Sequence, residues 1–200
     1  MIDKQIENIR QLILNYIELS DEEWKHCSTM FKVDRIHKKN ILLNQGAVCK
    51  NIYFVLDGLL RIYFVDQNGV EKTFHFSTEQ TFATDYESFL KSIPSSFYIQ
   101  AMEDTTVIII TKDILQDVYK TIGQGQKLGR LIAEDYFFMI NDKIKALYTQ
   151  SPLERYNTMN AKFPKILQRV SQHHIASYLN ISSVHLSRLK YNEKDISENH

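Results

Sequence analysis

The chain has only two cysteines, Cys27 and Cys49, among 200 residues, and its 24 Lys and Arg are balanced by 24 Asp and Glu. Two thiols are too few for a disulfide framework and cannot supply the four thiolates of an iron–sulfur cluster. A reducing, cytoplasmic setting is the natural expectation. Balanced charge excludes a polycation, so any surface for nucleic acid has to be local. No apolar run approaches the ~20 residues of a membrane span, and the opening "MIDKQIENIRQLILNYIELSDEEW" lacks the basic-then-apolar order of a secretory signal. No membrane partner is expected. The sequence also lacks a Ser-centred elbow, a Gly-rich phosphate loop and a pair of catalytic carboxylates, so an enzyme is not expected. His75 in "TFHFST", His37 in "RIHKKN" and His26 beside Cys27 each stand alone. A metal site needs several ligands converging; no metal is expected, and a cupin-like metalloenzyme is a rival that elemental analysis would separate.

What is present has a clear order. Ile6, Ile9, Leu12, Ile13 and Ile17 are spaced for an amphipathic helix over residues 4–17. "LSDEEW" carries a helix start, with Ser20 as cap and Glu23 three residues on. From about residue 31 to 111 the chain is rich in β-branched and aromatic residues. "NIYFVLDGLLRIYFVDQNGVEKTFHF" has turn signals at Asp57-Gly58 and Asn68-Gly69, the second predicting a two-residue primed turn with positive φ at both positions. "FYIQAMEDTTVIIIT" adds two strands around Glu103-Asp104. Many short strands at close spacing mean a barrel, roll or sandwich.

Helical spacing resumes at Thr111-Lys112-Asp113. Beyond "IGQGQKLG", the stretch "RLIAEDYFFMINDKIKALYTQ" predicts a helix of roughly 25 residues with Leu128, Leu131, Ile132 and Met139 along its apolar side. Phe137, Phe138, Tyr136 and Tyr148 are expected in the core or at an interface rather than around a ligand. Ser151-Pro152 starts a further helix, which Pro164 breaks. The expected organisation is a β-rich sensor with N-terminal helices over 1–121, a long helix over 122–150 and a small helical domain over 151–200.

"QHHIASYLNISSVHLSRLK" carries the most specific signal. Counting from Gln172 as the first position of a twenty-residue window, Ala176 is fifth, Asn180 ninth, Leu186 fifteenth and Leu189 eighteenth. A helix-turn-helix needs a small residue where its helices touch, a residue tolerant of left-handed backbone at the turn, and two apolar residues burying the second helix. Ser182 is placed to cap that helix. With Leu186 and Leu189 inward, Val184, Ser187, Arg188 and Tyr191 point outward, flanked by Ser183, His185 and Lys190. Arg can pair bidentately with a guanine edge, Ser adapts to any base, and Val can meet a thymine methyl. Residues 151–200 hold seven Lys and Arg against four Asp and Glu, a local net of +3, which favours phosphate contact. A plain, solvated α-hairpin is the bland alternative.

A β-rich block, a long helix and a C-terminal helix-turn-helix together resemble the cAMP receptor protein/FNR (Crp/Fnr) superfamily of bacterial transcription regulators. "GAVCKNIYFVLDGLLRIYFVDQNGVEK" is similar to that family's roll, through Gly46, Tyr53, Val55, Gly58 and Leu60, and "ISSVHLSRLK" to its recognition helix. The resemblance implies an α+β fold: a cyclic-nucleotide-binding-type β-roll (a double-stranded β-helix, or jelly roll), a long dimerisation helix, and a winged helix-turn-helix. It implies double-stranded DNA and a second copy of the chain as partners, with RNA polymerase as a further candidate. The DNA-contacting set it implies is Gln172, Ser182, Ser183, Val184, His185, Ser187, Arg188, Lys190 and Tyr191; the dimer seam is Leu128, Leu131, Ile132 and Met139.

Two features depart from the family pattern. Its nucleotide binders carry F-G-E-hydrophobic and, about ten residues on, Arg-Ser/Thr-Ala. Here "FATDYESFLKSIPSSFYIQA" puts Thr84 at the Gly, Asp85 at the Glu and Ser95 at the Arg, with Ser96 at the Ser/Thr position. A cyclic phosphate would lack its bidentate cation, so cAMP is not expected. Thr84, Asp85, Ser95 and Ser96 remain the candidate pocket for another small-molecule effector, if the roll binds one, and no other cofactor is expected. Only "YNEKDISENH" follows Lys190, so the wing is expected to be reduced or absent. The rival reading is a small-molecule-binding roll whose degenerate C-terminal domain does not bind DNA.

Overall fold

The computed structural model describes the backbone of residues 2–198 and the side chains of residues 6–191. In chain order the elements are α1 (Ile2–Leu14), α2 (Asp21–Met30), β1 (Lys32–Ile36), β2 (Ile41–Leu43), β3 (Asn51–Asp57), β4 (Leu60–Val65), β5 (Glu71–Ser77), β6 (Phe82–Ala83), α3 (Tyr86–Lys91), β7 (Tyr98–Ala101), β8 (Thr105–Thr111), α4 (Lys112–Thr121), α5 (Gly125–Thr149), α6 (Pro152–Lys162), α7 (Ile166–Arg169), α8 (Gln172–Tyr178) and α9 (Ser183–Glu198). No helix among the described residues is long and apolar enough to cross a membrane.

The strands form two four-stranded sheets, ordered β1-β8-β3-β6 and β2-β7-β4-β5. The pairings β1–β8, β3–β8, β3–β6 and β2–β7 are antiparallel. Ile52 to Leu56 are all buried, with no alternation, because β3 is covered on both faces. Asp57-Gly58 turns the chain from β3 into β4. Gly58 has φ 104°, and a Cβ there would lie 2.6 Å from Thr105 Oγ1, so only glycine fits. The Asn68-Gly69 hairpin forms with a different turn from the one predicted: Gly69 alone has positive φ. The Asp66 carboxylate takes the amides of Asn68 and Val70 at 2.9 and 3.0 Å, while the Gly69 amide donates to the Asp66 carbonyl at 3.0 Å. That is a three-residue loop with a left-handed glycine, selected by the aspartate side chain.

By contacts the chain divides into two compact units, residues 1–62 with 76–139 and residues 63–75 with 140–200. In the first, Ile6, Ile9, Ile13 and Ile17 pack with Cys27, Phe54, Leu56, Ile108, Ile122 and Leu128. The N-terminal helix ends at Leu14, earlier than the predicted residue 17; Tyr16 and Ile17 amides close on the Ile13 carbonyl, and the turn still delivers Ile17 to the core. Ser20 and Glu23 form the expected capping box of α2. Tyr136 of α5 donates to the Phe82 carbonyl at 2.5 Å, and Tyr16 donates to Asp135 at 2.6 Å.

In the second unit, Tyr156, Met159, Phe163, Ile166, Val170, Ile175, Ala176, Leu179 and Leu186 are buried. Ser151 caps α6 in a box with Glu154, and Pro152 takes the first helical position. The stretch predicted as one broken helix is two, α6 and α7, separated around Pro164 with Lys165 at φ 67°.

Candidate functional site

In the α8–α9 pair a serine caps the start of each helix. Ser171 caps α8 through the His174 amide, and Ser182 caps α9 through the His185 amide at 3.1 Å. Between them Asn180 stands at φ 54°. The Ile181 amide donates to the Ala176 carbonyl at 3.0 Å and the Asn180 amide to the Ser177 carbonyl at 3.2 Å. These two bonds are a Schellman closure, which requires a left-handed residue; asparagine supplies it at modest cost. Ala176 and Leu186 are buried at the helix contact, and Leu189 is partly buried.

Val184 and Tyr191 are 63% and 67% exposed. Gln172, Ser182, Ser183, His185, Ser187 and Arg188 are exposed too, while Lys190 is partly buried. The proposed reading face is therefore in water, on a helix held by Leu186. Arg155, counted on sequence with the basic residues of this region, has an internal role: its guanidinium donates to the Leu179 carbonyl at 3.2 Å and the Gln150 carbonyl at 2.6 Å. It ties the end of α8 to the end of α5. Lys162 lies 5.6 Å over the Phe163 ring. Nothing local in the sequence distinguishes these cations from solvent-facing ones.

The four cassette residues do not act as one group. Asp85 caps α3, accepting from the Ser88 amide at 3.2 Å, and its other oxygen accepts from the Ser95 hydroxyl at 2.7 Å. The Thr84 hydroxyl donates to the Asn51 carbonyl at 3.1 Å and lies 3.4 Å from Cys49 Sγ. Ser95 is buried and bridged to the loop before β3, where the Gly46 amide donates to its carbonyl and its own amide donates to that of Ala47. Ser96 is exposed. Ser88, which the sequence reading passed over, ties the cassette together: its buried hydroxyl accepts from the Cys49 amide and donates to the Ile93 carbonyl. The stretch thus holds a carboxylate paired with a hydroxyl, the reverse of what recognises a phosphate. The roll does contain a fully buried cation, Arg61 of β4, which lies outside the cassette sequence and has interactions of its own.

On α5, Leu128 is buried in the core of the first unit and Ile132 packs against it, so these two predicted seam residues serve their own subunit. Leu131 and Met139 are partly buried. The apolar residues that α5 leaves in water are Phe137, Phe138, Ile144, Leu147 and Tyr148, with Phe137 65% and Tyr148 85% exposed. Among the described residues no group of three or more His, Cys, Asp and Glu could hold a metal ion.

Comparisons agree with this geometry. Residues 33–122 match the family model described as the cyclic nucleotide-binding domain. No curated protein matches the chain. Among solved structures, FixK2 from Bradyrhizobium japonicum is 15% identical with a TM-score of 0.74, covering 84% of this chain and 86% of its own. The c-di-GMP-responsive global regulator CLP of Xanthomonas campestris is 13% identical with a TM-score of 0.66, covering 88% of this chain and 93% of its own. A Eubacterium rectale protein described as a transcriptional regulator of the crp/fnr family is 18% identical with a TM-score of 0.67, covering 90% and 88%. The fold is that of the Crp/Fnr regulators.

Proposed function

We propose that the chain is a homodimeric, DNA-binding transcriptional regulator of the Crp/Fnr type, whose roll does not take cAMP. The observation that carries this reading is the α8–α9 turn. A left-handed Asn180 closed by two backbone bonds sets the helices at a fixed angle, and that turn presents Ser183, Val184, Ser187 and Arg188 outward. The second helix of such a pair enters a major groove with its N-terminal residues against base edges. Arg188 is the guanine reader, the serines and His185 adapt to bases and phosphates, and the Ser182 and Gln172 ends face the backbone.

The dimer rests on α5. Phe137, Ile144 and Tyr148 recur at intervals of seven and four, on one side of a helix, with Phe138 and Leu147 beside them. A helix of 25 residues spans ~37 Å. A second copy covering its exposed stripe gives an isologous pair, with Leu131 and Met139 at its edge. Two helix-turn-helix units then read half-sites about 34 Å apart on a pseudo-palindrome. An effector in the roll would shift the population of dimer geometries through α5, with RNA polymerase the expected downstream partner.

The test is fluorescence anisotropy against a pool of genomic fragments, in a salt series. The expected result is a subset bound with steep salt dependence and a palindromic consensus. Uniform weak binding to every fragment, or none, would leave the roll as a ligand-binding module whose helical domain does not read DNA.

A further inference from the structure

Lys143 of α5 sinks its amine among β5 and α8. Nζ donates to the Phe74 carbonyl and lies 4.0 Å from the Tyr178 ring centroid and 5.3 Å from that of Phe74. Two bonds run beside it. The Thr73 amide donates to the Ser177 hydroxyl oxygen at 2.8 Å, and that hydroxyl donates to the Glu71 carbonyl at 3.0 Å. His75 meets the Phe163 ring edge-on, and Phe163 meets Tyr178, both at 5.9 Å. The 71–75 segment of the β4–β5 hairpin is thus fastened to α8, the first helix of the helix-turn-helix pair.

We propose that Lys143 makes this fastening proton-linked: the hairpin grips α8 when the amine is neutral and loosens when it is charged. The groups around it set the sign. From β5 comes His75, held neutral by burial and by the neighbouring cations Lys143 and Lys162, its pKa lowered to about 3. From α6 comes Lys162, itself lowered by burial against the opposing charge of Asp142 on α5. From α8 comes Tyr178, a neutral phenol raised to about 12 by burial. Burial first and Lys162 second lower Lys143 from 10.5 to about 7. The aromatic faces favour the charged form, but desolvation outweighs them. Docking of the hairpin therefore releases a proton. It strengthens by up to about tenfold per pH unit as pH rises from about 7 towards 10.5, and it levels off below about 7, where both states are charged.

The amide of Thr73, whose acceptor is across this contact, is the reporter. In the 200-residue chain without DNA, hydrogen exchange at Thr73 is followed over about pH 6 to 9 and divided by the intrinsic rate. The β8 amide of Ile108 serves as the control for intact folding. Wild type is expected to gain protection above pH 7 by up to about tenfold per unit. Lys143→Met, always neutral, is expected to be highly protected at every pH; Lys143→Arg, always charged, is expected to be poorly protected at every pH. A wild-type pH slope that persists in Lys143→Met, or equal protection in the two variants, overturns the proposal. The readout needs no DNA, so its failure and that of the regulator reading are separable.

Discussion

The Ser95 hydroxyl donates to the Asp85 carboxylate at 2.7 Å, across the ten residues that separate the two halves of the cassette. With Asp85 also capping α3, that carboxylate is committed to the protein. A cyclic phosphate brought here would meet a negative charge and no guanidinium from the cassette. Isothermal titration with cAMP is expected to give no binding heat at ligand concentrations well above micromolar. A saturable micromolar isotherm would refute this.

Asn180 holds a left-handed turn at φ 54°. Asn180→Gly is expected to leave stability within a few tenths of a kcal/mol, since glycine enters that region freely. Asn180→Val is expected to cost about 1–3 kcal/mol, because a β-branched residue is strained there. Thermal unfolding by circular dichroism, with both variants side by side, measures the difference. Equal Tm values for the two would mean that the turn rearranges.

The identity of the turn was open to inspection in the sequence because capping and left-handed backbone are local demands. Ser20 with Glu23, Ser151 with Pro152 and Glu154, and Asn180 after a small residue each announce themselves within four positions. Other features depend on residues far apart. Asn68-Gly69 reads as a primed turn until the Asp66 carboxylate takes two of its amides. Leu128 and Phe137 are both apolar positions on one helix, and periodicity alone does not say which of them the subunit covers itself. The bond from Thr73 to Ser177 spans 104 residues, and no pattern in either segment foretells it.

Arg188→Ala is expected to weaken specific DNA binding by about 1–3 kcal/mol and relax base preference at one position. The domain should stay folded, since the side chain is exposed. Anisotropy on matched and mutated sites gives the affinity, and circular dichroism gives the fold. Unchanged specificity would remove Arg188 from base reading.

The wild-type mass by light scattering is expected at twice the 23.5 kDa of the chain. Phe137→Glu with Ile144→Glu places like charges across the α5 stripe and is expected to yield monomers with weak DNA binding. The pair Ile132→Glu with Met139→Glu should instead lower stability first, since Ile132 packs on the first unit's own core. A wild-type monomer at micromolar concentration would remove both the dimer and the palindrome.

His75 gives a pH dependence of its own. Burial lowers it from 6.5 to about 3, so the unfolded chain takes up a proton that the folded one refuses. Stability is expected to be undiminished above about pH 6.5 and to fall by about 1.4 kcal/mol per unit between pH 6.5 and 3. His75→Phe, which keeps an aromatic edge against Phe163, is expected to flatten that limb. Urea unfolding at a series of pH values, compared between the two proteins, tests it.

The 63–75 hairpin has one more implication, for how such a chain can be taken apart. Its residues group with the C-terminal helices, although they enter the chain some ninety positions earlier. A cut at the Gln150–Ser151 junction, the boundary that linear order suggests, would strip Ser177 of both Thr73 and Glu71 and leave Tyr178 without Lys143. The released helices would carry an uncovered face and would be expected to associate or unravel rather than travel as a portable reader. Exchange of the helical domain between relatives would have to move the hairpin and the end of α5 with it, so the unit of inheritance is two separated stretches of sequence.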